Sequence, residues 1–168
     1  LRASVTSQLE ALRVAGADIR YVKPHGALYH DAGSRAEIAV LIVDAVQALS
    51  RDLGRDVPIL ADGPALAAAC ADAGVPFVRE AFLDRGYRAG GTLVPRGAPG
   101  DLLHDPDEVA ARAVRLARDG VVTSVEGEEI VVSAQSFCLH GDTPAALEMA
   151  RAVRQALADA GIDVRAPW

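Results

Sequence analysis

The stretch Tyr21-Val22-Lys23-Pro24-His25-Gly26-Ala27-Leu28-Tyr29-His30 decides how the chain is read. A β-branched and aromatic run enters Lys-Pro-His-Gly, where the backbone cannot stay extended. Pro24 fixes φ and offers no donor, and Gly26 permits a sharp exit. A strand ending in a turn that carries Lys23 and His25 aims polar side chains from a rigid base. Outward from this stretch, Ile19 to His25 reads as the strand. A helix precedes it, with Val5, Leu9 and Leu12 on one stripe and Gly16 as its stop.

The arrangement recurs downstream. Ser34 with Glu37 reads as a capping box, opening a helix whose inward face is Ile38, Leu41, Ile42, Ala45, Val46 and Leu49, closed by Gly54. Val57 to Ala61 reads as a buried strand ending in Asp62-Gly63. Pro64 suits a first helical position, and Leu66, Ala69, Cys70 and Ala73 form a stripe stopped by Gly74. Val75 to Phe82 is a third strand, running through Glu80 into Asp84-Arg85, and the glycine-rich residues 86–104 exclude a helix. Asp105-Pro106-Asp107-Glu108 starts the next helix, with acids at the positive end of its dipole, and Gly120 ends it. Val121 to Val132 reads as a hairpin turning near Glu126-Gly127. Ser133 to Leu139 reads as a strand ending in His140-Gly141-Asp142. Thr143-Pro144 then opens a last helix, stopped by Gly161, with Asp163-Val164-Arg165 as a short strand or tail.

This alternation implies an α/β protein, with parallel strands joined by helical crossovers in a single domain, 1–168. Four or five β/α units are too few for a closed eight-stranded barrel of about 250 residues. An open doubly wound sheet fits the length. Part of a larger barrel better fits a chain whose first residue, Leu1, already lies inside a helix.

A net charge of −6 argues against a general nucleic-acid or anionic-membrane binder. No apolar run approaches the ~20 residues that span a bilayer, and no basic-then-apolar leader opens the chain, so the expectation is a cytoplasmic protein. Cys70 and Cys138, without CxxC spacing, read as buried reduced thiols.

In α/β proteins the working residues collect where strands end. Those positions hold Lys23 and His25, then Asp62, then Glu80, Asp84 and Arg85, then His140 and Asp142; three of the four histidines lie on or beside them. Bland roles compete at each. Asp62 suits an ordinary turn, Glu80 and Arg85 suit a structural ion pair, and Asp142 suits an N-cap for the last helix. Residues 86–100 carry Arg88 and Arg96 among bare backbone amides that could close over an anion as a lid, without the GxxxxGK[ST] pattern of a Walker loop. The chain has neither HxxxH nor HExxH spacing, and no metal site within it is expected.

Lys23-Pro24-His25-Gly26-Ala27-Leu28-Tyr29, Glu80-Ala81-Phe82-Leu83-Asp84-Arg85-Gly86-Tyr87 and Cys138-Leu139-His140-Gly141-Asp142 resemble, in order, signatures of the lactam-utilisation family, now known as the A subunit of 5-oxoprolinase. Arg96-Gly97-Ala98-Pro99-Gly100 also resembles the family's loop before a helix. The resemblance implies a distorted (β/α) barrel of the glycoside hydrolase/deacetylase type, with 1–168 as its C-terminal part. It implies ATP-dependent opening of 5-oxoproline to L-glutamate, with ATP and magnesium as co-substrate, together with two further subunits. Carried over, Lys23, His25, Glu80, Asp84, Arg85, His140 and Asp142 would line the active site, and Arg88 and Arg96 would face the nucleotide. On residue type, Lys23, Arg85 and Arg96 would neutralise phosphate or oxyanion charge. His25 or His140 would activate water, oriented by Asp142 or Asp84.

Two departures stand out. His30 replaces a common Asn, and the family's further N-terminal segment is absent, so the chain alone is expected to be inactive. The competing readings are a metal-dependent amide or carbohydrate deacetylase and a non-catalytic scaffold subunit.

Overall fold

In the computed structural model, which describes residues 1–166, the chain separates into two compact units, Leu1–Arg79 and the residues from Glu80 onward. The first unit holds α1 (Arg2–Val14), α2 (Ala27–Ser34), α3 (Ala36–Leu53), β1 (Ile59–Ala61) and α4 (Pro64–Ala73). It also holds the first half of β2 (Phe77–Phe82), whose residues 77–79 run parallel to β1 in the register Ile59↔Phe77, Leu60↔Val78, Ala61↔Arg79. Gly54 and Gly74 end α3 and α4 in the left-handed conformation, as a residue without Cβ does most readily.

Three expectations change here. The strand from Ile19 to His25 shrinks to one parallel bridge, Val22 to Ile59, because Pro24 has no amide to extend the ladder and Gly26, at φ 58°, turns the chain away. The Ser34–Glu37 capping box does not form. Ser34 is the last residue of α2, its hydroxyl donating to the His30 carbonyl at 2.8 Å, and extended Arg35 separates α2 from α3. The buried face of α3 is Ala39, Ile42, Val43, Ala45, Val46 and Leu49, with Ile38 and Leu41 half-buried. Third, α1 forms without burying any residue, and Leu12 is 51% exposed.

Helix α2 escaped notice because it is short and contains Gly33, a weak helix former. The reason for that glycine is contact: a Cβ there would lie 2.8 Å from the Asp62 carbonyl oxygen. Gly63 is constrained from the other side. Its φ is +121°, and a Cβ on it would sit 2.6 Å from the Gly33 carbonyl oxygen. The turn after β1 and helix α2 therefore touch backbone to backbone.

Cys70 is fully buried on α4, and desolvation pushes its thiol up to about 11 from 9.0. The folded state keeps this proton more tightly than the unfolded chain does. Its contribution to stability is thus fully present below pH 9.0 and lost as pH rises toward 11. Urea titrations at pH 8, 9.5 and 10.5 are expected to show a progressive loss that Cys70→Ala abolishes.

The second unit begins with the rest of β2, paired in parallel with β5 (Ser136–Cys138) in the register Glu80↔Ser136, Ala81↔Phe137, Phe82↔Cys138. Helix α5 (Pro106–Asp119) starts as the sequence requires: Asp105 accepts from the Asp107 amide at 2.9 Å, and Asp107 and Glu108 occupy the first turn. It packs against α6 (Ala146–Asp159). Between them β3 (Val121–Thr123) and β4 (Glu129–Val131) form the expected hairpin. Helix α6 begins later than Thr143-Pro144 suggests. Ala145 adopts φ 62°, and this left-handed step takes the N-cap position, so Asp142 does not cap the helix. Residues 163–165 form no strand.

Candidate active site

The Glu80-to-Tyr87 run builds one strand end, and each residue has a visible task. β2 ends at Phe82, and Asp84 lies in the bend that follows it. The ring of His140 stacks on Phe82, with centroids 5.6 Å apart and planes 13° from parallel. His140 Nδ1 lies 2.9 and 3.0 Å from the two carboxylate oxygens of Asp84, and the His140 backbone N–H donates to Oδ2 at 3.1 Å. The Thr143 hydroxyl donates more weakly to that oxygen, at 3.4 Å. Asp84 is 0% exposed, whereas 24% of the His140 side-chain surface remains accessible.

The order of these contacts fixes the chemistry available. An ionised carboxylate accepts and cannot donate, so Nδ1 carries the hydrogen that points at Asp84. In the neutral imidazole Nε2 then carries the lone pair, and the stacked ring cannot rotate without losing both the Phe82 face and the Asp84 bond. The ends of β2 and β5 thereby bring a carboxylate and an imidazole together in the geometry a general base would need.

The following residues act as braces. Arg85 is 3% exposed; its Nε donates to the Asp101 carbonyl at 2.9 Å and its terminal nitrogen to the Val94 carbonyl at 2.6 Å. Burial first, and Arg96 second, push its guanidinium below the usual value, while Asp101 and Asp84 act in the opposite sense. Gly86 lets the chain pass against the Gly100 carbonyl and the Val94 side chain, and the Tyr87 hydroxyl accepts the Phe82 N–H at 2.8 Å. Antiparallel bridges Arg85–Leu102 and Tyr87–Leu93 complete the bracing.

Glu80 is buried at 3% exposure, and Asp142 is exposed. Arg88 pairs with Glu126 at 3.4 Å, and Glu126 also accepts the Ala89 N–H at 2.9 Å, while Arg96 is exposed. Two of these three guanidinium groups are engaged with protein partners. In the first unit, Lys23 is half-buried beside buried Pro24, His25 is exposed, and Asp62 lies 3.9 Å from Arg79. Among the described residues, no three His, Cys, Asp or Glu side chains cluster as metal ligands would.

Sequence reasoning passed over Phe82 and Thr143. Phe82 sits two residues before Asp84 and Thr143 three after His140, which was the available signal.

An α/β protein with a buried carboxylate orienting a strand-end imidazole is the class these observations define. The model of the LamB/YcsF family matches residues 1–167, and the chain belongs to that family. It is 46% identical to the 5-oxoprolinase A subunit of Streptomyces griseus over 99% of this chain and 67% of that protein. It is 49% identical to that of Kocuria rhizophila over 94% of this chain and 62% of that protein. The solved lactam utilization protein of Thermus thermophilus superposes with a TM-score of 0.86 at 39% identity, covering 98% of this chain and 66% of that one. The chain thus spans about two thirds of the length of these relatives. No helix among the described residues is long and apolar enough to cross a membrane.

Proposed function

We propose that the chain serves as the A subunit of 5-oxoprolinase, opening 5-oxo-L-proline to L-glutamate in the cytoplasm with ATP hydrolysis and two further subunits. Its fold would be a distorted (β/α) barrel of the glycoside hydrolase/deacetylase type. The observation that carries the reading is the Asp84–His140 couple, a ready-made base in a chain whose relatives bear that name. The amide of a five-membered lactam is resonance-stabilised, and water attacks it slowly. In the assembled enzyme, ATP with magnesium would supply activation by passing its γ-phosphoryl group to the lactam oxygen with ADP as the leaving group, and after ring opening a second water would release that group as inorganic phosphate. Of Arg85, Arg88 and Arg96, the last is the one left open to a phosphate. His140 Nε2 takes a proton from water as its oxygen bonds to the lactam carbon, and the proton later goes to the departing ring nitrogen. Lys23, His25, Glu80 and Asp142 remain candidate site residues.

The test combines this protein with the two other subunits and measures glutamate release alongside ADP. Stoichiometric formation of both, dependent on the presence of this chain, is expected. Full turnover without it would overturn the assignment, and turnover that required tightly bound zinc would favour a deacetylase-like enzyme.

A further inference from the structure

We propose that Arg112, on α5, is a positioning residue that holds the Asp84 backbone in place for His140. The strand ladder leaves a gap here. The Leu83 N–H is bound by the Cys138 carbonyl at 2.9 Å, and the Asp84 carbonyl accepts the Leu103 N–H at 2.9 Å. The Leu83 and Arg85 carbonyls, one on each side of Asp84, instead face the guanidinium of Arg112. One of its nitrogens makes a short bond to the Arg85 oxygen and a longer 3.4 Å contact to that of Leu83. A single cationic group thus brackets the peptide units flanking the carboxylate.

The surroundings of Arg112 suit that task. It is half-buried, and desolvation lowers its guanidinium from the ordinary value, while Glu108, one turn back on the helix, then Tyr87 and Asp84 pull the other way. The planar guanidinium holds the donating nitrogen in a fixed direction, where a lysine ammonium on its flexible stem is less constrained. Asp84 in turn orients the imidazole, so displacement of the 83–85 backbone reaches His140 through the carboxylate's contacts to Nδ1 and to the His140 N–H. Misplacement on the order of 1 Å lowers turnover about a hundredfold in a well-oriented site.

This inference rests on the proposed role of the couple, and one of its two tests does not depend on that role. In the full-length protein, the His140 imidazole is followed by nitrogen–proton NMR in wild type, Arg112→Met and Arg112→Lys. Turnover is measured with the partner subunits present. Arg112→Met is expected to shift or broaden the His140 Nδ1 signal. It should also lower kcat about 10- to 100-fold with KM changed less than about twofold, and Arg112→Lys should recover part of both. An unmoved His140 signal with kcat within about twofold of wild type, in a folded variant, overturns the proposal. If the methionine variant does not fold, the lysine variant decides: a moved imidazole signal supports positioning, and an unmoved one refutes it. Should His140→Gln retain turnover, the catalytic reading fails, and the NMR arm still decides whether Arg112 holds Asp84.

Discussion

Replacing His140 with glutamine is expected to lower lactam turnover of the assembled enzyme by about 10²–10⁴-fold, the range general-base catalysis supplies. Binding of 5-oxoproline should change little, since the loss falls on proton transfer. Asp84→Asn should act through the same step. A side-chain amide can donate to Nδ1, which moves the ring hydrogen to Nε2 and removes the lone pair that water needs. The double variant is expected to be no slower than the worse single one, because the two groups act as a unit. Steady-state kinetics with glutamate as the readout checks all three. A His140→Gln enzyme with more than about half of wild-type kcat would remove the couple from the mechanism.

Gly63→Ala should be the most damaging single methyl in the first unit. The added carbon would meet the Gly33 carbonyl oxygen at 2.6 Å, and neither partner is a flexible side chain that could retreat. Overpacking costs about 1–3 kcal/mol, and a non-glycine residue at φ +121° adds about 1–3 kcal/mol of strain. A loss of about 2–6 kcal/mol is therefore expected, a large share of an ordinary domain's stability. Urea unfolding measures it. Gly54→Ala gives the comparison, because a Cβ there meets nothing within 4 Å and only the positive φ of 66° is penalised.

The contrast between these two glycines shows what the sequence could disclose. Gly54, Gly74 and Gly120 were legible as helix stops because a local periodic pattern ends at each of them. Gly33 and Gly63 were not, since their requirement comes from a neighbour about thirty positions away. The same division holds at the site. Asp84 and His140 were readable as strand-end residues, but their pairing needed the parallel register Phe82↔Cys138. Arg112 sits on a strongly amphipathic helix where an arginine normally reads as a solvated residue, and its role rests on two carbonyls the sequence does not display. The helix-start signal at Ser34 misled for a local reason: its hydroxyl is used by the preceding turn, four residues back.

The bracing of residues 86–104 bears on substrate access. A run this rich in glycine invites the idea of a swinging flap. Yet lifting it would strip the Val94 and Asp101 carbonyls from Arg85 and strand a buried cation, a penalty of several kcal/mol. Glycine here grants proximity instead of mobility. The segment is accordingly tied down at Val94 and Asp101, and opening it would have to break both bonds to Arg85.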